Sequence, residues 1–371
     1  MLLIAFAGVA GFSHAQSQGM RLEVVASGLQ NPWAVAFLPQ GRFLVTERPG
    51  RMRVVEADGR LGPPLPGLPA IDAGGQGGLL DVVADSEVAA NRRVYFCYSE
   101  AAASGGNSTA LASATLAADN SRLEDVKVIF GQKPKFASSA HFGCRIVEGR
   151  KDGKPDGTLF LTLGDRYSRM QDAQKLDNHH GKVVRIHKDG SVPRDNPFVG
   201  RTGALPEIWS YGHRNMQGAT LSPDGSYWTH EHGPQGGDEI NLPQPGRNYG
   251  WPVITYGENY GGGKMGEGIS AKPGMEQPLH HWVPSIAPSG MAFLSSDKYG
   301  KTWQGNLFVG SLKFGYLNRI ELEQPFKGKV VREHKLLEGG GRVRDVRQGP
   351  DGLLYVLTDS PQGRLLRLQP Q

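Results

Sequence analysis

The chemically most distinctive stretch of the chain is residues 229–250, THEHGPQGGDEINLPQPGRNYG. Its acidic and imidazole side chains stand between glycines and prolines, with neither a strand nor a helix period: His230, Glu231, His232, Asp238 and Glu239. Asp238 and Glu239 beside glycines and tyrosines could form a cage for a hard cation, which prefers oxygen ligands. Zinc is disfavoured because no third His or Cys stands nearby. The alternative is a solvated surface connection stiffened by glycine and proline.

A second set of polar residues is scattered along the chain, each beside a predicted strand: Gln76, His141, Asp165, Arg214, Asn215, Lys313, Arg342 and Arg344. Taken singly, each is more often a hydrogen-bonded turn residue than part of a site. Taken together they are one base, one carboxylate, two amides and several cations. If the fold brings them to one cavity, that cavity would bind an anion and move a proton.

A short repeat positions these residues. A Pro-x-Gly turn followed by an alternating apolar strand occurs at 38–47, 154–165, 222–233 and 349–360, with looser copies at 90–100 and 302–312. Each copy follows another extended segment, so the unit is strand, tight turn, strand, with glycine supplying the positive φ of the turn. The spacing between copies suits a four-stranded sheet with its loops. Six copies therefore predict an all-β, six-bladed β-propeller of four-stranded antiparallel blades, with very little helix.

The two ends of the chain are expected to close the ring. The segments MRLEVVASGL and GRLLRLQP would share one blade, so that residues 21–371 form a single catalytic domain. A β-helix is disfavoured by the irregular spacing of the copies. Two separate sandwiches are disfavoured by the absence of a Pro/Ser-rich linker.

Residues 1–20 are predicted to be a signal peptide or a disordered N-terminus. The apolar run from Leu2 to Phe12 is too short to span a bilayer, and Ser13 and Ala15 are small residues suited to cleavage. No Lys or Arg precedes the run, which departs from the usual signal pattern. We expect a periplasmic or secreted protein that does not span a membrane.

Charge and cysteine content narrow the function classes. The net charge is +5, from 41 Lys and Arg against 36 Asp and Glu, and the basic residues form no run, so nucleic acid is not an expected partner. The two cysteines are Cys97 and Cys144. They could pair in an oxidising compartment, but they lie in different parts of the repeat, so two free, mostly buried thiols are expected.

Several motifs together resemble the soluble PQQ-dependent sugar dehydrogenases, close to the aldose sugar dehydrogenases. They are GQGGLLDVV, HFGCRI, LTLGDR, IWSYGHRNMQG, HEHGPQGGDEIN, NYGWP and RVRDV, and the resemblance covers residues from about 22 to 369. That family is a six-bladed propeller holding pyrroloquinoline quinone (PQQ) and Ca²⁺ at the mouth of its channel. The resemblance therefore implies the fold that the repeats predict, and an enzyme that oxidises the anomeric carbon of aldoses to lactones.

The resemblance implies catalytic and cofactor-binding roles. His141 would be the general base that takes the hydroxyl proton, Asp165 would orient its ring, and Arg214, with Ca²⁺, would stabilise charge on the quinone oxygen as the hydride arrives. PQQ carries three carboxylates, which cations and amides would bind. A tyrosine would border the quinone. The cofactor-binding set is Gln76, Arg214, Asn215, Tyr260, Lys313, Arg342 and Arg344.

The resemblance also implies two calcium sites. The carbonyls of Gly233 and Pro234 would ligate a Ca²⁺ shared with PQQ. Glu239 and a carbonyl at Tyr249 would belong to a second, structural Ca²⁺. The expected partners are an aldose and a soluble electron acceptor such as a cytochrome or quinone, and the protein is expected to be a monomer or homodimer.

Two other functions stay open at this point. A Ca²⁺-dependent propeller lactonase would need a side-chain-rich metal site in its channel. A non-catalytic propeller that binds carbohydrate or protein would keep the blades without the set of His141, Asp165 and Arg214. The presence of all three favours the dehydrogenase.

Overall fold

The computed structural model describes residues 20–103 and 105–370. Within these residues, 24 β-strands form six four-stranded antiparallel sheets, which confirms the predicted six-bladed β-propeller. The predicted signal segment lies outside the described residues except for Met20, which begins the first strand.

Five blades are each formed by four consecutive strands, inner strand first. Blade 1 contains β2 (Pro32–Phe37), β3 (Phe43–Glu47), β4 (Arg51–Val55) and β5 (Leu61–Pro64). Blade 2 contains β6 (Leu79–Ala84), β7 (Arg93–Ala101), β8 (Asn107–Leu116) and β9 (Leu123–Gly131). Blade 3 contains β10 (Gly143–Lys151), β11 (Lys154–Leu163), β12 (Lys182–His187) and β13 (Ile208–Tyr211). Blades 4 and 5 contain β14 (Met216–Leu221), β15 (Tyr227–Glu231), β16 (Asp238–Asn241) and β17 (His280–Trp282); and β18 (Pro288–Phe293), β19 (Leu307–Ser311), β20 (Leu317–Gln324) and β21 (Lys327–Leu336).

The sixth blade joins the two ends of the described chain. It contains β22 (Val343–Gln348), β23 (Leu354–Thr358), β24 (Gly363–Pro370) and, outermost, β1 (Met20–Leu29). Strand β1 pairs with β24 from Met20↔Pro370 to Leu29↔Gly363. Arg367 adds a two-pronged contact, with Nη2 donating to Glu23 Oε1 at 2.7 Å and Nε donating to Oε2 at 3.1 Å. The predicted closure of the ring is confirmed.

Helix is confined to short turns in the described residues. These are α1 (Val88–Asn91) and two 3₁₀ turns, Pro39–Gly41 and Met170–Gln174. No helix in the described part of the chain has the length and apolar character needed to cross a membrane.

In blades 1, 4 and 6 the predicted Pro-x-Gly turn lies where the inner strand turns into the second strand. In blade 3 the prediction is displaced: Pro155 and Gly157 already belong to β11, and the turn is formed by Asp152 and Gly153. Gly225 (φ +85°) is in the left-handed region, which a residue with a Cβ adopts at a cost. In the same turn Asp224 Oδ1 accepts the backbone N–H of Ser226 at 2.9 Å, and in blade 6 Asp351 Oδ1 accepts that of Leu353 at 3.1 Å. Such contacts are local, which explains how a short sequence signal specifies the strand pair of each blade.

The core lies between blades, where the faces of neighbouring sheets pack on each other. The largest apolar cluster joins blades 1 to 3 and includes Trp33, Phe96 and Ile146, each at most 3% exposed. Burial differs among the inner strands: β2 and β18 are buried along nearly their whole length, whereas β10 ends in exposed residues. The inner strand β2 therefore appears in the sequence as an almost continuous apolar run, and the other inner strands carry polar residues as well.

Cys97 and Cys144 form a disulfide, so the expectation of two free thiols is wrong, although both residues are fully buried as expected. The expectation treated different repeat units as distant. Cys97 lies on β7 of blade 2 and Cys144 on β10 of blade 3, and these two strands are in contact, with the two Cα atoms 5.9 Å apart. The bond joins neighbouring blades.

Two arginines and two aspartates from inner strands cross the central channel. Arg145 Nη1 lies 2.9 Å from Asp345 Oδ1 and 3.3 Å from Asp81 Oδ1. Arg347 donates from Nη2 to Asp81 Oδ1 at 2.6 Å and from Nε to Asp345 Oδ2 at 3.1 Å. The strands that supply them, β6, β10 and β22, belong to blades 2, 3 and 6, so these four side chains meet across the channel.

Candidate active site

One face of the propeller gathers the functional residues. The inner strands begin there and the second strands end there, because the two are paired antiparallel in every blade. Residues from all six blades line a central cavity of about 640 Å³, among them Arg48, Gln76, Gly143, Asn215, Lys313, Arg342, Arg344 and Asp359. A neighbouring side cavity of about 430 Å³ is lined by residues including His141, Tyr167, Arg214, Pro234, Trp251 and Tyr260.

The central cavity carries four cationic side chains and one carboxylate: Arg48, Lys313, Arg342, Arg344 and Asp359. Arg344 Nη2 donates to Asp359 Oδ2 at 2.8 Å, and Arg342 Nη2 to the same oxygen at 3.3 Å. Burial raises the pKa of Asp359, but the two guanidinium groups outweigh it, and the pKa ends below its ordinary value. The carboxylate is ionised and holds the two arginines in place, leaving the cavity with an excess of positive charge.

Two of the amide side chains that line the central cavity, Gln76 and Asn215, have their oxygen atoms occupied. Gln76 Oε1 accepts the backbone N–H of His141 at 2.9 Å. Asn215 Oδ1 accepts the backbone N–H of Gly143 at 3.2 Å and Gln217 Nε2 at 3.2 Å. Each amide is thereby left with its NH₂ group to donate.

His141 and Asp165 form a buried pair at the side cavity. His141 Nδ1 lies 2.6 Å from Asp165 Oδ1. Asp165 is held by two further donors, Trp251 Nε1 to Oδ2 at 2.7 Å and the backbone N–H of Tyr167 to Oδ1 at 2.8 Å. With Nδ1 on the carboxylate, Nε2 is the nitrogen left for chemistry.

The environment of His141 favours the neutral ring. Burial lowers the pKa of His141, and the positive charges of Arg214 and Arg166 lower it further, while Asp165 acts in the opposite direction. The net pKa is below its ordinary value, so at neutral pH the ring carries one proton, on Nδ1. A neutral imidazole backed by a carboxylate is suited to general-base catalysis.

Arg214 lines the side cavity, and its neighbour in the chain, Asn215, lines the central cavity. Its backbone N–H donates to Glu231 Oε2 at 2.5 Å, and its Nη1 donates to the carbonyl of His232 at 3.1 Å. Its Nη2 donates to the hydroxyl of Tyr260 at 3.3 Å, and the guanidinium carbon is 5.2 Å from the Trp251 ring centroid. Tyr260 itself is 62% exposed, so it borders the side cavity from the solvent side.

Two carboxylates of the 229–250 segment face each other across adjacent strands. Glu231 on β15 is the register partner of Glu239 on β16, and like charges directly opposite are unfavourable. Asn241 Nδ2 donates to both carboxylates, at 3.2 Å each. Burial raises the pKa of Glu239 to about 8, and the charge of Glu231 adds to the rise. A hard cation beside the pair would relieve this repulsion.

Gly233 and Pro234 form the turn that follows β15. The backbone N–H of Gly233 donates to Asp238 Oδ1 at 2.9 Å. A Cβ placed on Gly233 would lie 2.1 Å from the carbonyl oxygen of Gly236 and 2.4 Å from that of Gly237, so this turn gathers backbone oxygens in a small space. Among the described residues no group of three or more His, Cys, Asp or Glu is arranged to hold a metal. Any Ca²⁺ here would need carbonyls and water as further ligands.

Tyr249 is connected to the acidic pair through a histidine. Its ring stacks on His213 with centroids 4.8 Å apart, and its hydroxyl donates to the carbonyl of Leu242. His213 Nδ1 lies 2.9 Å from Glu231 Oε1. Residues 229–250 are therefore not a single loop or a solvated connection: they include the end of β15 and all of β16, and the segment is packed and hydrogen-bonded. Because this stretch of the sequence has no strand period, that criterion did not reveal these two strands.

Comparison with known proteins identifies the family. The family model described as "Glucose / Sorbosone dehydrogenase" matches residues 29–367. The chain belongs to the glucose/sorbosone dehydrogenase family. Aldose sugar dehydrogenase YliI of Escherichia coli (strain K12) is 45% identical to this chain over 357 residues, covering 95% of this chain and 93% of the relative. The resemblance inferred from the motifs is confirmed at the level of the family.

Two solved structures extend the comparison. The apo-form of the soluble aldose sugar dehydrogenase from Escherichia coli superposes with a TM-score of 0.89 at 44% identity, covering 95% of this chain and 100% of that chain. The PQQ-bound form of an aldose sugar dehydrogenase from Streptomyces coelicolor superposes with a TM-score of 0.75 at 27% identity, covering 94% and 98%. The chain thus has the same propeller fold as both structures.

Sequence reasoning missed three residues of the site, Arg48, Trp251 and Asp359, and it named Glu231 without a specific role. Arg48 and Asp359 follow the second strands of blades 1 and 6, so the strand-end rule that selected Lys313 would have found them. Trp251 has no such signal, because its contact with Asp165 spans 86 positions. Glu231 was noted as a loop acid, but its partner Glu239 follows only from the register of β15 and β16.

Proposed function

We propose that this glucose/sorbosone dehydrogenase oxidises the anomeric carbon of aldoses to lactones, with PQQ as the electron acceptor and Ca²⁺ as a second cofactor. One observation carries the proposal: a cation-lined central cavity adjoins the buried His141–Asp165 pair on the same face of the propeller. The PQQ-bound relative with the same fold supports it.

The donors of the central cavity fit an anion with several carboxylates. Lys313, Arg342 and Arg344 offer charge-assisted hydrogen bonds, and Gln76 and Asn215 offer amide N–H groups. The buried Nε of Arg344 has no hydrogen-bond partner among the described residues, so it retains a donor to give. PQQ bound there would supply the two-electron redox chemistry of the reaction.

His141 moves the proton. Oxidation of an aldose at its anomeric carbon removes one proton from the hydroxyl oxygen and one hydride from the carbon. The neutral Nε2 of His141 accepts the hydroxyl proton, and the imidazolium that forms is stabilised by Asp165 at 2.6 Å. Trp251 keeps the second oxygen of Asp165 occupied, which fixes the orientation of the carboxylate.

Arg214 supplies positive charge at the side cavity. Its backbone is anchored on Glu231 and its side chain on the carbonyl of His232, so the guanidinium is held in place before the reaction. Its buried Nε has no partner among the described residues and can donate to developing negative charge. Tyr260 limits the open side of the site.

Ca²⁺ suits both parts of the 229–250 segment. The turn at Gly233 and Pro234 offers clustered backbone oxygens near the side cavity, where the ion would be shared with the cofactor. The opposed carboxylates of Glu231 and Glu239 suit a second, structural ion near Tyr249. In that position the ion would bind only the folded state and so stabilise it.

The two alternatives fit the structure less well. A lactonase with a metal in the channel would need channel carboxylates free to ligate it, but Asp81 and Asp345 are engaged by two arginines. A non-catalytic binding propeller has no use for a buried His141–Asp165 pair.

The disulfide supports the predicted location. An intrachain disulfide is typical of proteins folded in an oxidising compartment, so we propose a periplasmic or secreted enzyme. Its proposed partners are an aldose and a soluble acceptor such as a cytochrome or quinone. A monomer or homodimer stays a prediction.

Reconstitution tests the function. Purified apoprotein is loaded with PQQ, with and without Ca²⁺, and dye reduction is followed with several aldoses. We expect dye reduction only when PQQ is present and more of it with Ca²⁺. Lactone hydrolysis without PQQ would instead indicate the lactonase, and sugar binding without turnover would indicate the binding module.

A further inference from the structure

The four residues that begin with His141 have an unusual backbone. His141 (φ +52°), Gly143 (φ +68°) and Cys144 (φ +79°) all lie in the left-handed region. Glycine adopts this region freely, whereas residues with a Cβ adopt it at a cost. With three such residues in four, local preference does not hold the segment, so its surroundings must.

The segment includes a β-bulge and packs tightly. The register of β10 with β11 shifts between Gly143 and Ile146, and bulges at strand ends re-aim the neighbouring side chains. A Cβ on Gly164 would lie 2.1 Å from the carbonyl oxygen of His141, so the two backbones are in direct contact beside Asp165. A change in the φ of Cys144 would therefore shift His141 relative to Asp165.

The disulfide fixes this segment to a rigid neighbour. Cys144 is bonded to Cys97, in the middle of β7. Cys97 and its neighbours Phe96 and Tyr98 are each at most 1% exposed, and β7 is hydrogen-bonded on both sides by β6 and β8. The disulfide thus connects the left-handed start of β10 in blade 3 to β7, an interior strand of the sheet of blade 2.

We propose that Cys144 is a positioning residue: its disulfide to Cys97 holds the left-handed backbone of residues 141–144 and thereby sets His141 against Asp165. The proposal rests on the proposed role of His141 as the general base. It assigns the disulfide a part in catalysis in addition to its part in stability.

Two double variants separate the contribution of the disulfide to catalysis from its contribution to stability. Cys97→Ala with Cys144→Ala, and Cys97→Ala with Cys144→Gly, both lack the disulfide and any thiol. Both should unfold at a lower temperature than the wild type, since the cross-link between the blades is gone. They differ in one respect, because glycine tolerates the φ of +79° at this position and alanine does not.

Turnover with saturating PQQ and aldose is compared at a temperature where all three proteins are folded. We expect the alanine double variant to lose about 10- to 100-fold in kcat, the size of effect that a small misplacement of a catalytic group produces. We expect the glycine double variant to stay within about 3-fold of the wild type. KM should change little in either. Equal kcat in the two double variants, whether both high or both low, would overturn the proposal.

A second measurement needs no turnover. The titration of the His141 ring is followed by NMR in the apoprotein, with His141→Gln used for assignment. In the wild type and the glycine double variant the pKa should stay below its ordinary value, because burial, Arg214 and Arg166 outweigh Asp165. In the alanine double variant a displaced ring should titrate differently; identical titration in all three proteins would count against the proposal. If the wild type oxidises no aldose, the proposed function fails, but this titration still decides the positioning.

Discussion

His141 and His213 show why a buried histidine next to a carboxylate is not by itself a catalytic base. Each places Nδ1 on a carboxylate, His141 on Asp165 at 2.6 Å and His213 on Glu231 at 2.9 Å. The Nε2 of His213 is occupied by the hydroxyl of Ser210 at 2.9 Å. His141 instead lines the side cavity, so its second nitrogen is available to a substrate.

Replacing His141 by alanine should lower kcat by about two to four orders of magnitude, the usual contribution of a positioned general base. PQQ affinity should change little, because the cationic donors remain. Both quantities are measured by dye-coupled turnover and by PQQ titration. Near-normal turnover in the variant would remove His141 from the mechanism.

The dependence of kcat on pH provides a second test of His141 as the general base. The base must be neutral, and its pKa is lowered from 6.5, so wild-type kcat should be flat near neutral pH and fall only on the acidic side of that value. The acidic fall should be absent from the residual activity of His141→Ala.

Lys313→Ala should weaken PQQ binding more than it slows the loaded enzyme. Lys313 lines the central cavity, and a hydrogen bond to a charged group contributes about 1.5–3 kcal/mol, or roughly 10- to 150-fold in Kd. Lys329→Ala removes the same charge from the exposed edge strand β21 and serves as the control. Arg344→Ala should show the same weakening, with an added effect from leaving Asp359 without its partner. Unchanged reconstitution by the Lys313 variant would contradict its assignment to the cofactor.

At the scale of the element, the pairing of β15 with β16 predicts a calcium-dependent pH response. In calcium-free buffer Glu239 keeps its proton in the folded state up to a pKa of about 8, whereas the unfolded chain releases it near 4.5. The folded state then binds more protons between these values, so the contribution of Glu239 to the free energy of unfolding falls as pH rises through this window.

Glu239→Gln should remove that fall, and it should also remove most of the stabilisation by Ca²⁺, which is about 2.7 kcal/mol at roughly 100 times Kd. PQQ binding should persist. Melting temperature is measured from about pH 5 to about pH 8, with and without Ca²⁺. Glu267→Gln, whose side chain is 69% exposed, makes the same charge change as a control. A calcium-induced shift that survives intact in the Glu239 variant would show that Glu239 ligates no ion.

The strand pairs of the blades could be predicted from the sequence. The turns around Gly225 and Gly352 are closed by local contacts, so each strand pair was visible in a short stretch of sequence. Strand ends then predicted that Gln76, Lys313 and Arg344 would share a cavity.

The predictions that failed, and the site residues that were missed, depend on contacts between blades. Cys97 and Cys144 are 47 positions apart and meet only because neighbouring sheets pack face to face. Trp251 reaches Asp165 across a larger gap of 86 positions. The division of the predicted residues between a central and a side cavity likewise depends on how the blades pack, which no short stretch of sequence shows.

At the scale of the whole molecule, closure of the ring depends on β1. Deleting residues 20–29 would expose the free edge of β24 and open the sixth blade, so we expect aggregation and loss of a single cooperative unfolding transition. Size-exclusion chromatography and calorimetry check this. Glu23→Gln, which breaks only a partly exposed ion pair, should cost about 0–1 kcal/mol. A monomeric, cooperative deletion variant would show that three strands suffice for this blade.

The network of Arg145, Arg347, Asp81 and Asp345 that spans the channel also bears on kinetic order. On the proposed function, we expect this network to exclude entry through the ring, so that the sugar, the lactone and the electron acceptor would all use the mouth on the face that carries the two cavities. Reduction by sugar and reoxidation by the acceptor would then alternate in time. Initial rates plotted in double-reciprocal form should give parallel lines, and each substrate in excess should inhibit competitively against the other. Intersecting lines would mean that both substrates occupy the mouth together.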